Sequence, residues 1–343
     1  MVSPSIEFPQ IMKTSQKNVT VAQPTVTVVE ICDPTSAGEN FEVINQDLVQ
    51  LRSEPLHARR VIVRLETAVL IYQSTNLAVR TRTKLTPGMM GVVAFGPRAK
   101  GTINGLLIHP DLMLIAAVGT EGQFVVERGY ESISVSIRLA DLEAHLRARQ
   151  QWERFYMPSD IDLLDCDAAK VRSFFSWGKR LADTAARRPD LFEGRNQVCA
   201  VVQIELVEML LEAISSADHY PLTRTDKTRQ DYSHVVRLAE DYALTQTDGP
   251  LRVPDLCKAA AVSERKLQYA FEEVMGMSPV AYLKRLRLHR VHQALRAATH
   301  GTTTVSVEAL KWGFWHFGDF SHSYKTCFGE LPSDTLRREP SRS

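Results

Sequence analysis

Apolar positions fall into two regimes along the chain. From about residue 40 to 138 they come in short β-branched runs: FEVINQDLVQLRS, RRVIVRLETAVLIYQ, NLAVRTRTKL, GMMGVVAFGP, GLLIHPDLMLIAAV and GQFVVERGYESISVSIRL. Gly and Pro interrupt them at turn-like intervals, which predicts an antiparallel sandwich or barrel. Residues 1–38, rich in Ser, Thr, Val and Pro, read as a partly ordered leading segment. The period changes where Leu139, Leu142 and Leu146 take helical spacing, and beyond them the pattern predicts helices and no further strand. DAAKVRSFFSWGKRLADTAAR and RNQVCAVVQIELVEMLLEAISSA are such helices, the second apolar enough for a core or a subunit contact. DHYPLTRTDKTRQDYS is polar and broken by Pro221, so it predicts an interdomain linker. Three regions follow: a strand-rich 1–138, a helical 139–220 suited to dimer contacts, and an all-helical 221–343.

The last region repeats itself. At a separation of 53 positions Leu267 falls on Phe320, Phe271 on Tyr324, Gly276 on Gly329 and Pro279 on Pro332. In the first copy VPDLCKAA forms a short amphipathic helix with Pro254 in its first turn. Ser263 is placed to cap the next helix, ERKLQYAFEEVM, and Gly276 to end it. That helix predicts a buried face of Leu267, Ala270, Phe271 and Val274, and an open face of Arg265, Lys266, Gln268 and Tyr269. The second copy predicts burial of Phe317, Phe320, Tyr324 and Phe328. It leaves His316, Gly318, Asp319, His322, Ser323 and Lys325 on or near the open side. Short helix, tight turn and capped helix with a long-armed polar face is the layout of a helix-turn-helix unit, here at about 253–275 and 305–328. The stretch between the copies, SPVAYLKRLRLHRVHQALRAA, predicts a helix of about 30 Å. One turn of B-DNA is about 34 Å, so two reading helices on such a spacer suit successive major grooves. The expected fold class is α+β: an N-terminal antiparallel β-barrel or sandwich, cupin-like, then helices, then an all-α domain with two helix-turn-helix units.

Composition narrows the picture without changing it. The chain has 343 residues, enough for two domains. Its net charge is +1, yet residues 221–343 hold 18 Lys/Arg against 14 Asp/Glu, a mild basic excess compatible with phosphate contact. Cys32, Cys166, Cys199, Cys257 and Cys327 are scattered and form no CxxC, a pattern of reducing compartments. The N-terminus lacks the apolar run of a signal peptide, and no run is long enough to span a bilayer, so a cytoplasmic protein off the membrane is expected. His316 and His322 are six apart, which is not the spacing of one helix face, and the strand region holds only His57 and His109. No metal, cofactor or catalytic residue is therefore expected. The alternative, a barrel-fold ligand carrier or metal enzyme with a helical tail that docks on protein, would need a second His/carboxylate cluster that this sequence lacks.

The stretches DLCKAAAVSERKLQYAFEEVMGMSPVAYLKRLRLHRVHQAL and GFWHFGDFSHSYKTCFGELPS together resemble the DNA-binding domain of AraC/XylS-family bacterial transcription regulators, over residues 233–338 and with a lean toward the XylS-like branch. The resemblance implies binding of double-stranded promoter DNA at direct-repeat sites, commonly as an activator that touches RNA polymerase. It also implies an N-terminal domain that takes a small-molecule effector or drives homodimerisation. On this basis the DNA-facing candidates are Ser263, Arg265, Lys266, Gln268, Tyr269, His316, His322, Ser323 and Lys325. Arg and Gln have the geometry to pair with guanine and adenine edges, whereas a lysine serves phosphate as well. Candidates for an effector pocket are Tyr72, Arg80, Arg82, Phe95 and Arg98. Three positions depart from the pattern. Ala261 stands where the family usually has Gly in the first turn, which requires a negative φ or some strain. Glu308 replaces the apolar residue predicted by its counterpart Leu256. The second reading helix has short arms and carries Asp319, so the first unit is the better candidate for base reading.

Overall fold

A computed structural model describes residues 23–38, 43–194, 196–214, 217–246, 252–299 and 301–338. The strands are β1 (Val26–Ile31), β2 (Ile44–Gln50), β3 (Ala58–Arg64), β4 (Ala68–Thr75), β5 (Val79–Leu85), β6 (Met89–Phe95), β7 (Gly101–Ile103), β8 (Leu106–Leu107), β9 (Leu112–Ala116), β10 (Glu121–Val126) and β11 (Glu131–Arg138). Helix α1 (Leu139–Ala148), β12 (Ile161–Asp165), α2 (Ala168–Arg187), α3 (Asn196–Ile214) and β13 (Asp218–His219) follow. Two antiparallel sheets result, in the orders β1-β3-β4-β11-β6-β9-β12-β13 and β2-β5-β10-β7-β8. They face each other as a sandwich and do not close into a barrel.

Alternation along the strands builds the layers. On β11, Ile133, Val135 and Ile137 point to α2 and its neighbours, where they join Leu70, Val92, Phe174 and Leu206 in one core. Ile62, Ile71 and Phe95 point the other way, into a second core shared with Leu48 and Val79 of the facing sheet. The larger sheet is thus buried on both faces, as its near-continuous apolar runs require.

The structure departs from the sequence pattern in three places. Strand β1 lies in the leading segment, of which residues 1–22 are outside the described residues. Strands do return after residue 139: β12 pairs with β9, and β13 with β12, extending the larger sheet. IDLLD is short and bracketed by acids, so it carries no alternation long enough to read. The helices of 139–220, the region read as a helical dimerisation and connector segment, pack on that sheet as its outer layer. The predicted linker is mostly helix, because Thr223 and Asp226 form a reciprocal capping box that starts α4 (Arg224–Thr245) within it.

The C-terminal part continues with α5 (Val253–Ala259), α6 (Glu264–Met275), α7 (Pro279–Ala297), α8 (Val305–Lys311), α9 (Phe317–Phe328) and α10 (Pro332–Arg337). Helix α7 is an unbroken spine of roughly 28 Å. Its Tyr282, Leu283 and Leu286 close a core with α4, α5 and α6, while Leu288, Val291 and Leu295 close another with Ala309, Phe320 and Tyr324. The first of these cores also takes Val49 and Leu51 from the smaller sheet. The molecule is therefore four-layered: helices, large sheet, small sheet, helical domain.

Helix α7 also carries polar contacts to the sandwich. His289 Nε2 accepts the backbone N–H of Gln50 at 3.2 Å. His292 hydrogen-bonds Asp33 at 3.0 Å and the Tyr324 hydroxyl at 2.6 Å, and Arg296 reaches Asp33 at 3.0 Å. Burial, and after it the charges of His292 and Arg285, hold the His289 imidazole well below its ordinary value, which suits an acceptor ring. Burial alone would raise the Asp33 carboxyl, but the bond and charge of His292 outweigh it and keep Asp33 well below the usual range.

The sign for His289 is fixed by linkage. In the unfolded chain an imidazole gains its proton near pH 6.5, whereas the buried ring does not. Stability therefore falls as pH drops below 6.5, by up to about 1.4 kcal/mol per pH unit. Asp33 acts only below about pH 5, where the unfolded carboxyl starts to protonate. Urea unfolding midpoints at pH 7, 6 and 5 are expected to decline, and the decline to be shallower in His289→Gln.

Candidate nucleic-acid interface

Capping and turn chemistry set both helix-turn-helix units. Ser263 accepts the Lys266 N–H and starts α6, Ser278 accepts the Ala281 N–H and starts α7, and Thr304 accepts the Val307 N–H and starts α8. The left-handed residues Gly276 (φ 65°) and Gly329 (φ 79°) end α6 and α9. The turn of the second unit places Gly313 at φ 77°, and its counterpart in the first is Ala261 at φ 53°. The alanine thus accepts the strained conformation, at about 1–2 kcal/mol. Glu308 is buried and accepts the Thr303 hydroxyl at 2.9 Å.

Both reading helices are anchored at the same end. A methyl on Gly276 would stand 4.0 Å from the Arg52 guanidinium, and one on Gly329 would stand 3.5 Å from Pro55, so both C-termini rest on the loop between β2 and β3. Arg285 donates to the Ser53 hydroxyl at 2.8 Å, and the Gln50 amide to the Cys327 carbonyl at 3.4 Å, tightening the same contact. The N-terminal ends of α6 and α9 are the ends away from this loop.

On α6 the predicted residues lie together on one side. Arg265 and Tyr269 are exposed and paired, with the guanidinium 5.5 Å from the ring centroid and 3.2 Å from the hydroxyl. The Gln268 amide donates to Glu272 at 2.5 Å, and the Lys266 ammonium meets Asp231 of α4 at 2.7 Å. These are surface pairings, worth little in water and readily exchanged for a ligand. On α9, His316, His322 and Lys325 are exposed, Ser323 is half-buried, and Asp319 is exposed beside them. Phe320 and Tyr324 are buried as expected, but Phe317 is 43% exposed, because at the first turn of α9 it faces out from the core that Phe320 enters. Trp315, at 70%, was not singled out by the sequence. Its one signal is a count: the second turn is a residue longer than the first.

A cavity of about 100 Å³ lies between the two sheets, lined by Thr81 and Thr83 of β5, Ser134 and Ser136 of β11, Gln46, Gln73, Arg60 and apolar neighbours. Small hydroxyl residues where a sandwich core normally places large aliphatics leave this space. None of the five residues expected from the sequence lines it. Tyr72 faces the outer helices, where its hydroxyl donates to Glu131 at 2.8 Å. Phe95 packs on Tyr130, with centroids 6.4 Å apart, and Arg98 is exposed. Arg80 and Arg82 sit on the opposite face of β5, against the helical domain. The cavity residues missed by the sequence reading are the Ser and Thr positions that alternate with these, a pattern visible in VRTRTKL and ESISVSIR.

The face of β5 away from the cavity meets a buried carboxylate. Glu240 of α4 pairs with Arg80, lies 3.2 Å from Arg82 and accepts from the Tyr282 hydroxyl and the Gln123 amide. Arg82 also reaches Asp241 at 2.5 Å. Arg80 and Glu240 have no exposed side-chain surface, and burial drives the Arg80 guanidinium below its ordinary value. One strand therefore touches the cavity with its threonines and the helical domain with its arginines.

A family model described as a helix-turn-helix domain matches residues 256–338. The chain is 32% identical over 143 residues to the probable thc operon regulatory protein of Rhodococcus erythropolis, covering 41% of this chain and 43% of that protein. It is 31% identical over 138 residues to XylDLEGF operon transcriptional activator 3 of Pseudomonas putida, covering 40% and 39%. The chain thus spans less than half the length of these curated relatives. A solved structure, a probable AraC family transcriptional regulator from Rhodopseudomonas palustris, is 37% identical over 30% of this chain and 95% of that one, with a TM-score of 0.28.

Removing one partner of a fully buried pair leaves an uncompensated charge. Glu240→Ala is expected to cost about 3–5 kcal/mol in urea unfolding. Glu240→Leu combined with Arg80→Met is expected to recover most of that loss, since apolar replacement of both partners removes the orphaned charge.

Proposed function

We propose that the chain belongs to the AraC/XylS family through its tandem helix-turn-helix domain and is a sequence-specific, ligand-responsive transcription regulator. The observation that carries the reading is the pair of reading helices, anchored at one end on a common loop and leading outward from it. Arg265, Gln268 and Tyr269 supply base-edge and stacking chemistry on α6, Lys266 and Lys325 supply phosphate contact, and His316, His322 and Ser323 complete the α9 side. The relatives named as operon regulators support the same reading. Activation would follow when both units engage direct-repeat promoter sites and the protein touches RNA polymerase.

The sandwich cavity is the ligand site in this proposal, in place of the pocket expected from Tyr72, Arg80, Arg82, Phe95 and Arg98. A small molecule with a largely apolar body and a few polar groups fits its mixed lining. A ligand against Thr81 and Thr83 presses on the strand whose Arg80 and Arg82 hold α4. Occupancy then shifts the population of the arrangement competent for DNA, as a ligand with differential affinity must.

Two measurements test this. Gel-shift titration of the full chain against its own upstream region is expected to show sequence preference and a steep fall in affinity with salt. Arg265→Ala is expected to lose about 1–3 kcal/mol of specific binding. An unchanged footprint and affinity in that variant would remove Arg265 from the interface. Ser134→Leu fills the cavity and is expected to abolish small-molecule induction of a reporter while DNA binding persists. Induction that survives the filling places the ligand elsewhere.

A further inference from the structure

The start of α9 carries large aromatic side chains that stay exposed among the described residues. The turn hydrogen bonds put Ala261 opposite Gly313 and Val262 opposite Phe314, whereas the helices that follow put Glu264 opposite Phe317. The second unit thus has one extra residue between turn and helix. Trp315 lies in that longer turn at 70% exposure, and Phe317 opens the helix at 43%. Next comes Gly318, within α9. Its φ is not left-handed, and a methyl built on it would meet nothing within 4 Å. A helical glycine costs about 1 kcal/mol against alanine, and here neither backbone conformation nor internal packing calls for it. In the register of the helices it occupies the place of Arg265, the long arm of the first unit.

Close approach by something outside the chain accounts for all three residues. The charges around them indicate what approaches. Trp315 and His316 line a groove with Lys284 and Arg287 of α7, and Lys325 stands exposed further along α9. Cations beside exposed aromatics at the N-terminal end of a reading helix suit the phosphates and base edges of a duplex. Asp319, in the same groove, is the exception to the positive charge, and its carboxylate has the chemistry to accept from a cytosine amino group.

We infer that the second unit reads its half-site through thymine methyl groups: Trp315 and Phe317 pack on the 5-methyl carbons, and Gly318 lets the helix end lie close to the groove floor. Thymine alone of the four bases presents a methyl group in the major groove. The inference rests on the DNA-binding reading above. It makes the two units chemically unlike, with hydrogen-bond forks on α6 and apolar contact on α9.

The test uses duplexes selected by the full-length chain from a random-sequence pool. Each thymine of the selected site is replaced in turn by deoxyuridine, which removes only the methyl. Loss of about fourfold in affinity per substituted thymine is expected in one half-site, the factor for one buried methyl-sized group. In Trp315→Ala and Phe317→Ala the same substitutions are expected to have no further effect. Gly318→Ala is expected to melt no lower than the parent and yet to weaken protection of that half-site, a combination that a packing role for the glycine would not produce. Selected sites that tolerate uracil throughout, or that lose the same affinity in the parent and in both alanine variants, overturn the inference and leave DNA binding intact. Failure to select any sequence overturns the DNA-binding reading together with this one.

Discussion

A carboxylate buried with two arginines holds the molecule together across its layers. Glu240 lies on α4, Arg80 and Arg82 on β5, and Tyr282 on α7, so one side chain joins the small sheet to the first core of the helical domain. Such a cluster adds little net stability over an apolar contact of the same shape, because desolvation offsets the attraction. What it supplies is a register. The pairing tolerates little sliding, since any displacement leaves a charge without its partner in a low-dielectric space. Val49 and Leu51 beside it would permit sliding if they acted alone.

That constraint gives the two faces of β5 different surroundings. A strand buried on both faces usually carries apolar residues on both, but β5 alternates threonine with arginine. The threonines border a space between the sheets, and the arginines border α4. The contacts of His289 with β2, and of His292 and Arg296 with Asp33, tie the far half of α7 to the same sandwich, so neither unit is held by the Glu240 cluster alone.

The two units share a plan and differ in detail. Each ends its reading helix in a left-handed glycine on the loop between β2 and β3. The first unit keeps an alanine in a strained turn and long polar arms on its helix. The second relaxes its turn with Gly313, adds Trp315 and drops the long arm at Gly318. Duplicated units that diverge in this way can recognise unlike half-sites while a single rigid spine keeps their spacing.

Local chemistry was legible in the amino-acid sequence. The repeat, Ser263 as a cap, Gly276 and Gly329 as helix ends, and the β-branched runs that became β2 to β6 and β9 to β11 all follow from propensities that act within a few residues. The buried Leu267, Phe271, Phe320 and Tyr324 follow from helical period alone. Which face of a doubly buried strand looks at what is not a local property. Arg80 and Arg82 read as pocket residues because a charged side chain in a strand suggests a ligand, and only the packing of α4 on the small sheet made them partners of Glu240. Phe317 read as core because aromatic residues prefer burial, yet its position on the first turn of α9 turned it outward. The short β12 and β13 had no pattern of their own and became strands because an open edge of the large sheet offered hydrogen bonds. The sequence alone determined most of the elements and many of their ends, through short-range sterics and capping. Tertiary structure decided partners and exposure, because both depend on which surfaces meet across the chain.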